Sequence, residues 1–204
     1  MARAFADITF TPSVKAAQTF YNSREQNRNF ELAADPRNTL TEMAETFIAE
    51  RDSFYQATVA ENGWPYMQHR GGAKGFLKVL DNRTLGYADF SGNRQYLSVG
   101  NLQADARICL FLMDYANKHR LKIWGRADII HESDSPEFFA QLKDEDYGAK
   151  IERGVIIHVE ALEWNCSKHI TPRFTREEVQ QSVADLIEEN RLLKSRLAMY
   201  ENKY

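Results

Sequence analysis

Cysteine is scarce in this sequence. Cys109 and Cys166 are the two present among 204 residues, and neither stands in a CxxC or a Cys/His zinc spacing. A structural disulfide is therefore not expected, and a reduced, cytoplasmic setting is the simplest reading. Long apolar runs are missing too. No stretch of about twenty apolar residues exists, so no membrane span is expected. The N-terminal MARAFADITF lacks a continuous apolar segment of the signal-peptide kind. Excess charge is also absent: the net charge is −3 and the pI is near 6.0, which leaves no basic footprint for nucleic acid. The five histidines are scattered, with no HExxH, so no metal site is expected. No GxGxxG follows a strand and no GxxxxGK[ST] occurs, which disfavours doubly wound and P-loop nucleotide folds. No nucleophile-elbow motif supports a Ser-His-Asp triad.

What is present is enough apolar material for a core: 43% hydrophobic and 12% aromatic residues, well outside the range of disordered chains. Ser13 can cap a helix carrying Val14, Ala17, Phe20 and Tyr21. The following NSREQNRNF is polar and reads as solvated. Thr39 and Glu42 make a capping-box pattern before Leu40, Met43, Ala44, Phe47 and Ile48, which recur at helical spacing. Residues 53–60 and 64–69 are β-branched and aromatic, with Glu61-Asn62-Gly63 between them, a hairpin signature. Further strands are predicted over 76–80, 84–88, 107–113, 120–130 and 154–162, with a short helix from Ser135-Pro136 to Leu142. Short, closely spaced strands with few long helices among them predict an antiparallel barrel with helices attached, a mainly β, α+β fold.

From Thr175 the character changes. Thr175 and Glu178 form a second capping box. Val179, Val183, Leu186, Asn190, Leu193, Leu197 and Tyr200 then alternate spacings of four and three, a coiled-coil seam of about three heptads. Asn190 falls at an a position. Glu189 with Lys194, and Arg196 with Glu201, fall at g and following e positions. Two readings stay open: a parallel dimer, or an amphipathic helix packed on its own domain. The change of pattern divides the chain into residues 1–174 and a tail of 175–204.

Two stretches carry candidate chemistry. Residues 66–80 hold His69, Arg70, Lys74 and Lys78 without an acidic residue, and Gly71-Gly72 lets backbone N–H groups approach an anion. Arg suits bidentate phosphate binding and Lys adds a point charge. A solvated basic loop has the same composition. In DFSGNRQY, Ser91, Asn93 and Gln95 supply donors and acceptors beside Gly92, and a helix opening near Arg94 would favour an anion at its N-terminus. A well-capped turn reads the same way. Arg120 and Lys122 share one face of a strand. His169 is a possible cofactor contact, and Cys166 is reactive only if exposed with a lowered pKa.

The hairpin SFYQATVAENGWPYMQ, then HRGGAKGFLKVLD, LGYADFSGNRQYLSVGNL, ARICLFLMDY and HRLKIWGRADI resemble, in order and spacing, the pyridoxamine 5′-phosphate oxidase-related flavoproteins over roughly residues 40–170. The resemblance implies an FMN-binding split barrel, a homodimer with FMN between the subunits, and oxidoreductase chemistry with NADH or NADPH as a possible electron donor. It implies Arg70 and Lys78 as phosphate contacts with His69 and Gly71 beside them. Phe90, Ser91, Asn93, Gln95 and Tyr96 would lie along the cofactor. Arg120 and Lys122 would reach the flavin from the second subunit, and Trp164, Cys166 and His169 would approach the ring. Two departures stand out. The family's Ser-Arg-Lys turn reads Asn93-Arg94-Gln95 here, so a Lys is replaced by Gln95. The C-terminal Arg and His that hold pyridoxal phosphate have no equivalent, so the oxidase reaction itself is not assigned. A non-enzymatic flavin- or haem-binding module and a deazaflavin enzyme are the alternatives.

Overall fold

The structure is a computed structural model that describes residues 3–32, 37–144, 147–164 and 167–201. Its elements run α1 (Ala4–Thr9), α2 (Pro12–Phe20), α3 (Arg24–Glu31), α4 (Glu42–Ala49), β1 (Ser53–Val59), β2 (Pro65–Gly71), β3 (Lys78–Asp81), β4 (Thr84–Phe90), α5 (Leu97–Ala104), β5 (Arg107–Asp114), β6 (His119–Ile130), α6 (Pro136–Leu142), β7 (Ile151–Trp164) and α7 (Arg176–Glu201). The seven strands form one antiparallel sheet in the order β2-β1-β5-β6-β7-β4-β3.

That order forces the sheet to curl. β2 and β3 follow one another in the chain yet sit at opposite ends of the pairing order. Six strand-to-strand steps laid flat would span about 29 Å. The connection over residues 72–77 reaches at most about 25 Å fully extended, and it is not extended: Phe76 N–H donates to the Ala73 carbonyl, and Gly75 N–H to Arg51. The sheet therefore wraps into the predicted split barrel, with β2 facing the β4 side across a gap that no ladder closes.

The barrel interior is the core. Leu85, Tyr87, Leu110, Leu112, Leu121, Ile123, Val155, Ile157 and Val159 are buried within it, together with Phe54, which stacks on Phe76. A smaller cluster of Phe138, Phe139 and Leu142 from α6 covers Ala88 on the other face of β4. Gly125 marks a bulge where β6 shifts register against β7. A Cβ there would lie 2.4 Å from the His158 carbonyl oxygen.

Local differences from the sequence reading have local causes. The cap of α4 is Thr41, whose hydroxyl accepts from Ala44 N–H, and not Thr39. Leu40 N–H is tied to the Asn82 carbonyl, so the helix starts after that tether. Thr11, not Ser13, caps α2, and Phe20 and Tyr21 on it are exposed. The polar NSREQNRNF contains a helix, α3, pinned by Arg24 and Lys15 to Glu31 and by Phe30 against Phe5. The Asn62-Gly63 hairpin is present, with Gly63 at φ +85°.

Two compact units make up the chain. One runs through Asp114 and resumes at His119 as far as Ser167; the other comprises Tyr115–Lys118 and the chain from Lys168 onward. In the second unit the guanidinium of Arg173 lies over the Tyr115 ring. The α7 capping box forms in both directions: Thr175 N–H donates to Glu178 and Glu178 N–H to the Thr175 hydroxyl. No described helix is long and apolar enough to cross a membrane.

Candidate functional site

The split in the barrel holds a cleft of about 190 Å³. Alternation along β2 supplies one wall: Tyr66, Gln68 and Arg70 point into the cleft while Met67 and His69 point away. The end of β4, the turn over 91–96, the start of α5 and the start of β7 supply the rest.

Asp89 sits at the base, 3% exposed. A buried carboxylate is tolerated only when paired, and this one is paired twice. Arg70 Nη1 donates to Oδ1 and Arg153 Nη1 to Oδ2, both at 2.5 Å. The bridge ties β2 to β4 and β7 across the gap in the ladder. Arg70 Nε is enclosed with no hydrogen-bond partner among the described residues. Beneath it, the buried Tyr87 hydroxyl donates to Gln56 Oε1, and burial pushes the Tyr87 phenol above its ordinary range.

The rim is a second network. Arg94 and Tyr96 hold left-handed backbone conformations at φ +61° and +56°, each of which costs a non-glycine residue roughly 1–2 kcal/mol. The strain positions side chains: Arg94 Nε donates to the Tyr96 hydroxyl, which donates to Glu152. Glu152 also accepts from Arg153, whose guanidinium lies 5.0 Å from the Tyr96 ring centroid. The Tyr96 hydrogen bond, with help from Arg153, holds the Glu152 carboxyl below the usual glutamate range. The cleft thus carries the guanidiniums of Arg70, Arg94 and Arg153 against the carboxylates of Asp89 and Glu152, one positive charge in excess. Its described lining contains no histidine or cysteine.

Of the sequence candidates, Arg70, Phe90, Asn93, Gln95 and Tyr96 meet in this cleft, and Ser91 opens its turn with its N–H on the Lys150 carbonyl. The other described candidates are not among its lining residues. His69 is exposed on the opposite face of β2, its ring edge-on to Tyr55, and Gly71 ends that strand. Lys78 lines a separate hollow with Glu45, Thr46 and Lys74. Lys122 lies above the Phe111 ring, and Arg120 Nε is enclosed without a partner among the described residues. Trp164 packs edge-on against Phe47. His169, at φ +64°, belongs to the second unit, and Cys166 lies outside the described residues. Cys109 is half-buried, and burial pushes its thiol up to about 11. No group of metal-ligating side chains occurs among the described residues.

Arg153 and Glu152 escaped the sequence reading. The available signal was an Arg beside the otherwise apolar run GVIIHV.

The sequence pattern of pyridoxamine 5′-phosphate oxidase matches residues 40–165. The chain belongs to the pyridoxamine 5′-phosphate oxidase family. Solved structures similar to it include a putative pyridoxamine 5′-phosphate oxidase from Lactobacillus delbrueckii, at 23% identity and TM-score 0.47 over 62% of this chain and 94% of that one. HupZ of Group A Streptococcus is 17% identical, with TM-score 0.47 over 66% and 98%. An FMN-binding protein from Syntrophomonas wolfei is 14% identical, with TM-score 0.47 over 76% and 97%. No curated protein matches. The family pattern spans the whole barrel from before α4 to the end of β7 and takes in every residue of the cleft. α7 lies outside it.

Proposed function

We propose that this protein binds FMN, with the cofactor's phosphate in the cleft over Arg70 and Arg153, and that it serves as an FMN-dependent oxidoreductase. The observation that carries this reading is the doubly bridged Asp89. It preorganises two guanidiniums at the base of a cleft that keeps a net positive charge, and Arg94, Asn93 and Gln95 add donors at the rim. A phosphate monoester fits that donor set.

The cleft of about 190 Å³ falls short of the roughly 300–1,000 Å³ typical of cofactor sites. One chain therefore holds the phosphate end, and a second copy completes the ring end. Arg120 and Lys122, which stand away from their own chain's cleft, would come from that copy, and Trp164, Cys166 and His169 would approach the ring. When bound, FMN supplies the electron chemistry. The residues of the cleft bind and orient. Both of its carboxylates are committed to guanidiniums, so no acid or base is assigned.

Titrating the purified protein with FMN and with riboflavin, which lacks the phosphate, tests the reading. FMN is expected to bind about tenfold or more tightly than riboflavin. Arg94→Ala, which disturbs neither Asp89 pair, should cost FMN about 1–2 kcal/mol and leave riboflavin unchanged. Equal affinities for the two ligands, or no uptake of either, overturn it. Anaerobic mixing of the loaded protein with NADH or NADPH then separates enzyme from binding module: bleaching is expected, and a flavin that neither donor reduces favours the module.

A further inference from the structure

The exposed face of α7 has no use in the cleft and lies beyond the family's pattern. Val179, Leu186, Leu193 and Leu197 are 49%, 59%, 54% and 58% exposed, and with Val183 and Asn190 they line one side of a 26-residue helix. A stripe of this length left in water is costly, and its spacing is that of a heptad seam. We infer that α7 pairs with α7 of a second copy of this chain as a parallel, in-register, two-stranded coiled coil. This does not depend on the cofactor.

Charge and polarity choose the partner together. Glu189 and Lys194 occupy g and the following e, as do Arg196 and Glu201, so a parallel second copy places opposite charges across the seam at both levels. Within the chain, Glu188 pairs with Arg191 on the outer face, whereas Glu189, Lys194 and Arg196 make no ion pair among the described residues. Charge alone also permits an antiparallel pair, since Glu189 and Arg196 are both g residues and would face each other. Asn190 decides. Antiparallel helices pack a against d, and in the register that sets Glu189 against Arg196 Asn190 would face Leu193, burying an amide against an apolar side chain. Parallel pairing sets Asn190 against Asn190, where each amide has the other as partner. In the single chain the Asn190 amide donates to the Leu186 carbonyl of its own helix, a weak local bond that it can exchange. Ile187, 63% exposed at an e position, widens the apolar seam beside it. A parallel pair has its two-fold axis along the helices, the symmetry of an isologous dimer.

Disulfide trapping in the full chain tests the inference, with Cys166→Ser as background. Cys109 can stay, since its raised thiol pKa keeps it slow to react. Under mild oxidation Asn190→Cys should give covalent dimer at least tenfold faster than Glu188→Cys, which faces outward. Leu193→Cys, at d, gives a second reading if Asn190→Cys fails to fold. Equal rates at 190 and 188, or no dimer at both 190 and 193, overturn the inference. Faster trapping of a mixed Asn190→Cys and Leu193→Cys pair than of either alone would show antiparallel packing and overturn it too. Flavin binding is read separately on the same variants and should be unchanged.

Discussion

Asp89 shows how much one side chain can decide. Its two guanidinium partners are 19 and 64 residues away in sequence, so nothing near it predicts them. Asp89→Asn would leave the largely buried Arg70 and Arg153 guanidiniums without their shared carboxylate. The expected loss is about 3–5 kcal/mol, read as a lower urea midpoint at unchanged slope. Replacing Asp89 and Arg70 together by apolar residues should cost less than the single change. Tyr87 and Gln56 behave similarly on a smaller scale. Tyr87→Phe strands the buried Gln56 amide and should cost about 1–3 kcal/mol. It should also flatten the alkaline limb of stability. The Tyr87 phenol is raised in the folded state, so its stabilising effect is complete below the unfolded value near pH 10 and is lost as pH climbs beyond it. Glu152 works with the opposite sign. Its carboxyl is lowered, so the Tyr96 latch holds above the usual glutamate range and gives way as pH falls through the depressed value. Glu152→Gln should remove that acid-side component from a stability-versus-pH curve. Arg70 was legible as a candidate because it stands among basic residues beside Gly71-Gly72, and the structure places it in the cleft wall. The separation of His69 from Arg70 was equally legible in principle, since adjacent strand residues point to opposite faces, and Arg153 was hidden by its long sequence separation.

Among the elements, what the sequence showed best is what local chemistry determines. The Asn-Gly hairpin, the Pro136 helix start and the Thr175–Glu178 capping box all form as read. Boundaries set by distant pairing were less legible. β7 begins at Ile151 rather than 154 because Phe90 and Asp89 pair with Ile151 and Arg153, and that extension is what brings Arg153 to the cleft. α3 was invisible to periodicity because ion pairs and a single aromatic, not an apolar face, hold it. The β6–β7 bulge is the element most sensitive to a small change. Gly125→Ala places a methyl group against the backbone of β7, which cannot swing aside like a side chain. A loss of about 2–4 kcal/mol in thermal or urea unfolding is expected, against less than about 1 kcal/mol for Gly148→Ala, where a Cβ meets nothing.

At the scale of the molecule, the family pattern over residues 40–165 and the antiparallel barrel agree with the order of motifs in the chain. Strand count and hairpin turns made the fold class legible. The cleft was only half legible, because it is assembled where strands distant in the pairing order meet. If FMN binds the folded state alone, adding it at a hundred times its Kd stabilises by about 2.7 kcal/mol. That should raise the melting midpoint by roughly 5–10 °C, with riboflavin giving a smaller shift. No shift with FMN would count against the cleft as its site.

The short run from Gly72 to Leu77 has a kinetic meaning as well as a geometric one. It joins the first and last strands of the pairing order, so the contacts across the split, unlike the run's own local bonds to Arg51 and Asp52, need β1, β5, β6, β7 and β4 paired between them. Contacts across the split are therefore among the last to form, in a chain already slow because its pairings are non-local. The Arg70–Asp89 bridge should then be nearly absent from the folding transition state. Asp89→Asn is expected to leave the refolding rate almost untouched and to speed unfolding instead, so that stopped-flow arms in urea would separate along one limb only.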